Sequence, residues 1–142
     1  MSKYKLTEET KQHEGITLYR IQALIDIPSI GVIAGDLGGW LESESNLGQD
    51  GNAWVYGNAW VYGNAKVYGN TKVYGDSWVF GNAEVYGYAK VFENAWVFGD
   101  AKVFGNAKVY GNAVVSGDAK VYGYVKVSED ALVCDDAKVY GY

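Results

Sequence analysis

The sequence is poor in the residues from which most active sites are built. Histidine occurs once, at His13, and cysteine once, at Cys134. A lone cysteine has no partner for an internal disulfide, and a lone histidine excludes a three-histidine zinc centre. His13 stands in the charged stretch KQHEG, the setting of a solvated surface residue. Cys134 has no histidine in its neighbouring repeats to act as a base, so it reads as an outward strand residue. No run approaches the roughly 18 apolar residues needed to cross a bilayer, and the N-terminus has no signal-type apolar segment. A basic excess is missing too: 12 Lys+Arg face 17 Asp+Glu, a formal charge of -5, so neither nucleic acid nor an anionic membrane is an expected partner. Threonine appears only at Thr71 after residue 50, which leaves no flat threonine array of the kind that binds ice. A chain of 142 residues suits one domain, and the cytoplasm is its expected location.

What the sequence does have is repetition. Valine stands at every sixth position from Val55 to Val139, fifteen times without a slip. Two residues earlier sits a small side chain, usually Ala, with Thr71, Ser77 and Val125 as exceptions. One residue later the side chain is usually aromatic, and Gly with Asn or Asp follows. Such a period must be read before local structure, because it sets the architecture.

In a strand, successive side chains point to opposite faces, so the small residue and the valine share one face while the variable residue and the aromatic share the other. The first pair is the interior. Gly and Asn tolerate the positive φ of a tight bend, and an identical bend every six residues closes a triangle after three units. The predicted fold is all-β, a parallel β-helix of about five triangular coils. At about 4.8 Å per coil the prism is roughly 24 Å long. Its core is thin, so backbone ladders and side chains stacked coil over coil must supply much of the stability.

Residues 1–48 read as an N-terminal cap and lead-in, and 49–142 as the repeat region, with its fifteen units over 51–140. The β-rich GITLYRIQALIDI, with YKL as partner, predicts a β-hairpin-like cap over an open strand edge. Leu47 is in frame with the small-residue position, which predicts that winding starts just before Gly51.

The phrase GNAWVYGNAKVYG and the preceding GDLGGWLESESNL resemble a group of small hexapeptide-repeat proteins common in phage and prophage genomes. The resemblance implies left-handed winding, although most parallel crossovers are right-handed. It settles no activity. Hexapeptide acyltransferases generally use a histidine base and a loop extruded from a coil, and this repeat is uninterrupted with its histidine in the cap. The reading is therefore not an enzyme, with no catalytic residue, no cofactor and no metal site.

The eighteen-residue period sorts the outward positions into three faces. Face one carries Trp54, Lys72, Lys90, Lys108 and Lys126 beside Tyr56, Tyr74, Phe92 and Tyr110; face three carries Lys66, Glu84, Lys102, Lys120 and Lys138 beside Tyr68, Tyr86, Phe104, Tyr122 and Tyr140. Paired lysine and aromatic stripes suit single-stranded nucleic acid in principle, but also a solvated sheet with cation-π contacts. Face two differs: Trp60, Trp78, Trp96, Val114 and Leu132 run beside Tyr62, Phe80, Phe98, Ser116 and Cys134, with no charge among the ten. Its projected area, roughly 300 Å², reaches the size at which apolar patches mean contact. Trp60, Tyr62, Trp78, Phe80, Trp96, Phe98, Val114 and Leu132 form the expected partner-binding face, with coil-on-coil stacking as the bland alternative.

Two further features yield expectations. One corner stacks Asn64, Asn82, Asp100, Asp118 and Asp136, with Asp135 alongside, where repelling carboxylates would welcome a cation or simply serve as turn residues. At the C-terminal coil, strands at Val127, Val133 and Val139, with Tyr140 and Tyr142, present an open edge. This predicts a C-terminus-to-C-terminus homodimer. The functional reading is a non-catalytic phage-type protein that docks on a protein partner, such as a host enzyme or defence complex, in the host cytoplasm. Structural self-assembly is the alternative, and an acyltransferase-like enzyme a distant third.

Overall fold

A computed structural model describes residues 2–141. Two long strands, β1 (Tyr4–His13) and β2 (Ile16–Ala23), form an antiparallel hairpin whose turn holds Glu14 at φ 49° and Gly15 at φ 82°. Strand β3 (Leu37–Leu41) follows, and then fifteen two-residue strands, one per repeat, from β4 (Trp54–Val55) to β18 (Lys138–Val139). Each pairs in parallel with the strand eighteen residues away, as in Trp60↔Trp78 and Lys90↔Lys108. Two five-stranded sheets and one eight-stranded sheet result, the last extended by β3 and the hairpin. The protein is a β-solenoid of stacked parallel coils.

The interior is as the alternation predicts. The interior valine of every repeat from Val55 to Val121 is fully buried, with alanine as its usual small companion. Most turns obey one rule: the repeat glycine takes a left-handed conformation, and the residue after it donates its N–H to the next coil, as Asn64 does to the Gly81 carbonyl at 2.8 Å. A Cβ added at Gly81 would stand 2.9 Å from the Gly99 nitrogen. Glycine is needed here both for its φ and for the close stacking of turns.

Winding begins earlier than the repeat implies. Trp40 pairs with Trp60, Leu41 with Val61, and Leu47 with Val67, an offset of twenty rather than eighteen. These residues form a sixth turn before the five regular ones. Leu47 therefore lies in the valine column and not in the small-residue position that the frame suggests, because two additional residues separate it from Val55. Asn46 locks the irregular turn: its buried amide donates to the Ala65 and Gly63 carbonyls at 2.9 and 3.2 Å, and its oxygen accepts from the Ser43 and Glu42 nitrogens at 2.9 and 3.1 Å. All four of its hydrogen-bonding capacities are used, which makes its burial tolerable.

The N-terminal segment closes this end. Lys3 is 1% exposed and its ammonium donates to the Ala53 carbonyl at 2.7 Å. Tyr4 is fully buried, donates its hydroxyl to the Leu47 carbonyl at 2.6 Å and stands edge-on to Trp54. Trp54 is buried as a result, a correction to its expected place on an open face one.

Candidate interaction face

Face two is the outer side of the eight-stranded sheet. Its aromatic residues form two parallel ladders. Trp60, Trp78 and Trp96 stack at 4.5 and 5.0 Å between ring centroids, with planes within 6° of parallel. Tyr62, Phe80 and Phe98 stack at 5.0 and 4.8 Å. The ladders meet edge to face, Phe80 lying 6.2 Å from Trp96 at 75°. Pairs of both kinds add roughly 0.5–1.5 kcal/mol beyond area burial, so the face is rigid and held in one conformation.

The hairpin occupies part of this face. β2 pairs with β3 from Tyr19 to Gln22, and the half of the hairpin nearer its turn runs on over the first rungs. Leu18 packs with Trp40 and Tyr62, and Ile16 lies against the same cluster. His13 is not a solvated residue, as its charged neighbours suggested. Its ring lies edge-on to Trp60 and Trp78 at 4.8 and 5.0 Å and near the Tyr62 ring at 5.5 Å. Lys11 places its ammonium 4.1 Å above the Trp40 ring. Trp60 and Tyr62 are accordingly not free for a partner; Tyr62 is 7% exposed. The open part of the expected face is Trp96, Phe98, Val114 and Leu132, with Trp96 39% and Leu132 65% exposed, while Trp78 and Phe80 border the hairpin, against His13 and the Leu18 cluster. A groove of about 490 Å³ runs along its edge, lined by Trp78, Trp96, Val114, Asp76, Asn94 and Asn112.

Faces one and three also stack their rings on one another, Tyr74 on Phe92 at 4.8 Å and Tyr86 on Phe104 at 5.0 Å. Ring faces engaged in this way are covered by their own neighbours along each column. The stripe lysines make no cation-π contact among the described residues; those contacts come from Lys11 and Arg20 in the hairpin. At the corner, Asn64 donates to Asn82 and Asn82 to Asp100, both at 3.2 Å, an amide ladder ending on a carboxylate. No group of three or more His, Cys, Asp or Glu among the described residues is placed to hold a metal ion. No described helix is long and apolar enough to cross a membrane.

At the C-terminal end, the strands holding Val127, Val133 and Val139 are the outermost members of their sheets. Val127 and Val133 are 5% and 9% exposed, while Tyr140 stacks on Tyr122 at 5.0 Å. Tyr142 lies outside the described residues. The hairpin's contact with face two had no local sequence signal beyond the length of the β-rich stretch, so His13 and Lys11 were legible only from the fold.

Comparison with known proteins agrees with the architecture. Residues 107–123 match the family described as the YdcK beta solenoid repeat. A protein of Escherichia coli (strain K12) named "Uncharacterized acetyltransferase YdcK" is 41% identical over 64 residues, 39% of this chain and 19% of that protein. The chain thus spans about a fifth of the length of that relative.

Proposed function

We propose that the protein is a non-catalytic docking module whose rigid prism presents face two to a protein partner. The observation that carries this reading is the open, uncharged half of that face, where Trp96 and Leu132 expose apolar surface beside stacked rings. Ladders fixed before binding lose little conformational freedom on contact, which favours affinity per unit area. In the setting implied by the hexapeptide-repeat resemblance, the partner is a host enzyme or defence complex in the host cytoplasm, blocked by occupation and not by chemistry. Tagged protein recovered from host cells should bring down a stoichiometric partner that the Trp78→Lys, Trp96→Lys double variant loses while keeping its fold. Equal recovery with both proteins would remove the face from the account.

A second reading, acyl transfer, is favoured by the name of the relative. It would assign the general base to His13, whose ring lies beside Tyr62 and two tryptophans. Acetyl-CoA turnover that disappears in His13→Ala would support it over docking. A third, self-assembly through the outermost strands at Val127, Val133 and Val139 and through Tyr140 and Tyr142, is supported by the open sheet edges there. Light scattering with and without a charged extension after Tyr142 tests it.

A further inference from the structure

Charge in the repeat region is sorted by position around the prism. The corner between faces one and two holds Asp76, Glu93, Glu129 and Asp130, and the corner between faces two and three holds Asp100, Asp118, Asp135 and Asp136. The third corner lies between faces three and one, opposite face two. Its turns, from Gly51-Asn52 to Gly123-Tyr124, carry no acid, and Asp50 precedes the first of them at the capped end. Next to this corner runs the lysine column of face one. Lys72, Lys90, Lys108 and Lys126 pair in register, one strand spacing of about 4.8 Å apart. Like charges directly opposite one another are destabilising. Among the described residues none of the four has an ion pair; the coil lysine that has one is Lys102, 4.0 Å from Glu84 on face three. The net charge of -5, which argued against nucleic acid, conceals a basic edge.

Two tyrosines stand out from that edge. Tyr88 and Tyr124 take the corner place that Asn70 and Asn106 hold in alternate coils, and they are 63% and 64% exposed. They lie two coils apart, about 9.6 Å. The column beside them, Tyr68, Tyr86, Phe104 and Tyr122, is stacked throughout, at 5.0, 5.0 and 4.9 Å. Neither corner ring stacks on another among the described residues, so both keep their faces free. A groove of about 380 Å³ lies against Tyr88 and Lys72 and is bounded toward the capped end by Ser29 and Ile30.

We propose that this edge binds single-stranded nucleic acid, with phosphates along the lysine column and bases on Tyr88 and Tyr124. The column is three strand spacings long, about 14 Å, so the contact is limited to about four phosphates, one per lysine. Lysines alone would accept any polyanion. Free ring faces along the same line select one that carries planar groups, because every base has a face that can stack on an aromatic side chain. In a duplex those faces are stacked on one another, so the edge suits a single strand. The surface is separate from face two, and a protein docked there leaves it open.

Anisotropy of a labelled twelve-residue oligothymidylate, titrated at about 50 mM and about 200 mM salt, tests the proposal. With four phosphates neutralised, affinity should fall about 50-fold between the two salts. Lys90→Gln with Lys108→Gln should reduce that ratio to about sevenfold. Lys102→Gln with Lys120→Gln removes the same charge from face three and should leave the ratio unchanged. Tyr88→Asn with Tyr124→Asn restores the corner residue of the alternate coils, so it should fold, and it should weaken binding about thirtyfold with the salt ratio kept. No binding at the lower salt, an equal response to the two lysine pairs, or indifference to the tyrosine variant overturns the proposal. Inorganic polyphosphate or a duplex of the same length binding as tightly as the oligothymidylate marks a general polyanion edge and likewise overturns it.

Discussion

Glu93 and Gly111 occupy the same turn in consecutive coils, and both hold a left-handed backbone, at φ 58° and 68°. Asn94, next to Glu93, donates to the Gly111 carbonyl at 2.9 Å, so the turns are stacked as tightly as those with glycine in both coils. A side chain at this position points at the following turn: a Cβ on Gly75 would lie 2.7 Å from the Glu93 nitrogen. Glu129 and Asp135 share the conformation, at φ 58° and 57°, but lie in the last described coil.

Glu93→Gly should accordingly stabilise the protein by about 1 kcal/mol, by removing a left-handed non-glycine residue and a crowded Cβ. Glu129→Gly should gain less, because only the backbone strain is relieved there. Gly99→Glu should be destabilising by more than 1 kcal/mol, since its Cβ would lie 2.8 Å from the Gly117 nitrogen. Denaturant midpoints of the three variants check the order.

Thr71 is fully buried and its hydroxyl has no hydrogen-bond partner, whereas Ser77, also in the small-residue position, donates to the Tyr74 carbonyl at 2.8 Å. Thr71→Val keeps the shape, removes the unpaired hydroxyl and should raise stability by about 1 kcal/mol. Ser77→Ala, which loses a made hydrogen bond, should be neutral or destabilising. Equal shifts in melting temperature for both would contradict this account.

Val97 is fully buried, while Lys102 lies outward, 4.0 Å from Glu84 across the ladder. Val97→Asp should cost several kcal/mol or prevent folding, because a carboxylate in this narrow core has no partner. Lys102→Asp should cost no more than about 1 kcal/mol, the range of an exposed pair. Thermal unfolding of the two proteins side by side distinguishes interior from exterior.

Burial lowers the Lys3 ammonium from 10.5 to about 8, with the Asp50 charge opposing. The unfolded chain then binds more protons between pH 8 and 10.5, so stability should rise with pH through that window, by about 1–2 kcal/mol. Tyr62 and Tyr68 act in the opposite sense. Burial first, and then Glu14 and Glu84 respectively, raise their hydroxyls from 10.0 to about 12. Above pH 10 the unfolded rings ionise first and stability should fall. Chemical denaturation from pH 7 to 11 should show a maximum near pH 9–10, and Lys3→Met should abolish the rise while leaving the fall.

The inside and outside of the prism, the placing of its turns and the three outward columns were all legible in the sequence. An uninterrupted period of six converts directly into strand alternation and bend position, and the valine at each unit has only one place to go. The hairpin was legible as a hairpin, because its β-formers are contiguous.

What the tertiary structure alone decided lies where the period stops. Leu47 joined the valine column because Asn46 supplies side-chain hydrogen bonds that let an irregular turn stack two residues out of frame. His13 and Lys11 reached the tryptophans because β2 pairs with β3 and carries the far half of the hairpin over face two. Trp54 was enclosed by Tyr4, fifty residues away. The repeat sequence itself determined the prism, since each coil is held by identical neighbours at a fixed spacing. Which part of the prism remains open to a partner depended on contacts between the non-repetitive segment and the coils, and such contacts follow from packing in three dimensions that no local pattern encodes.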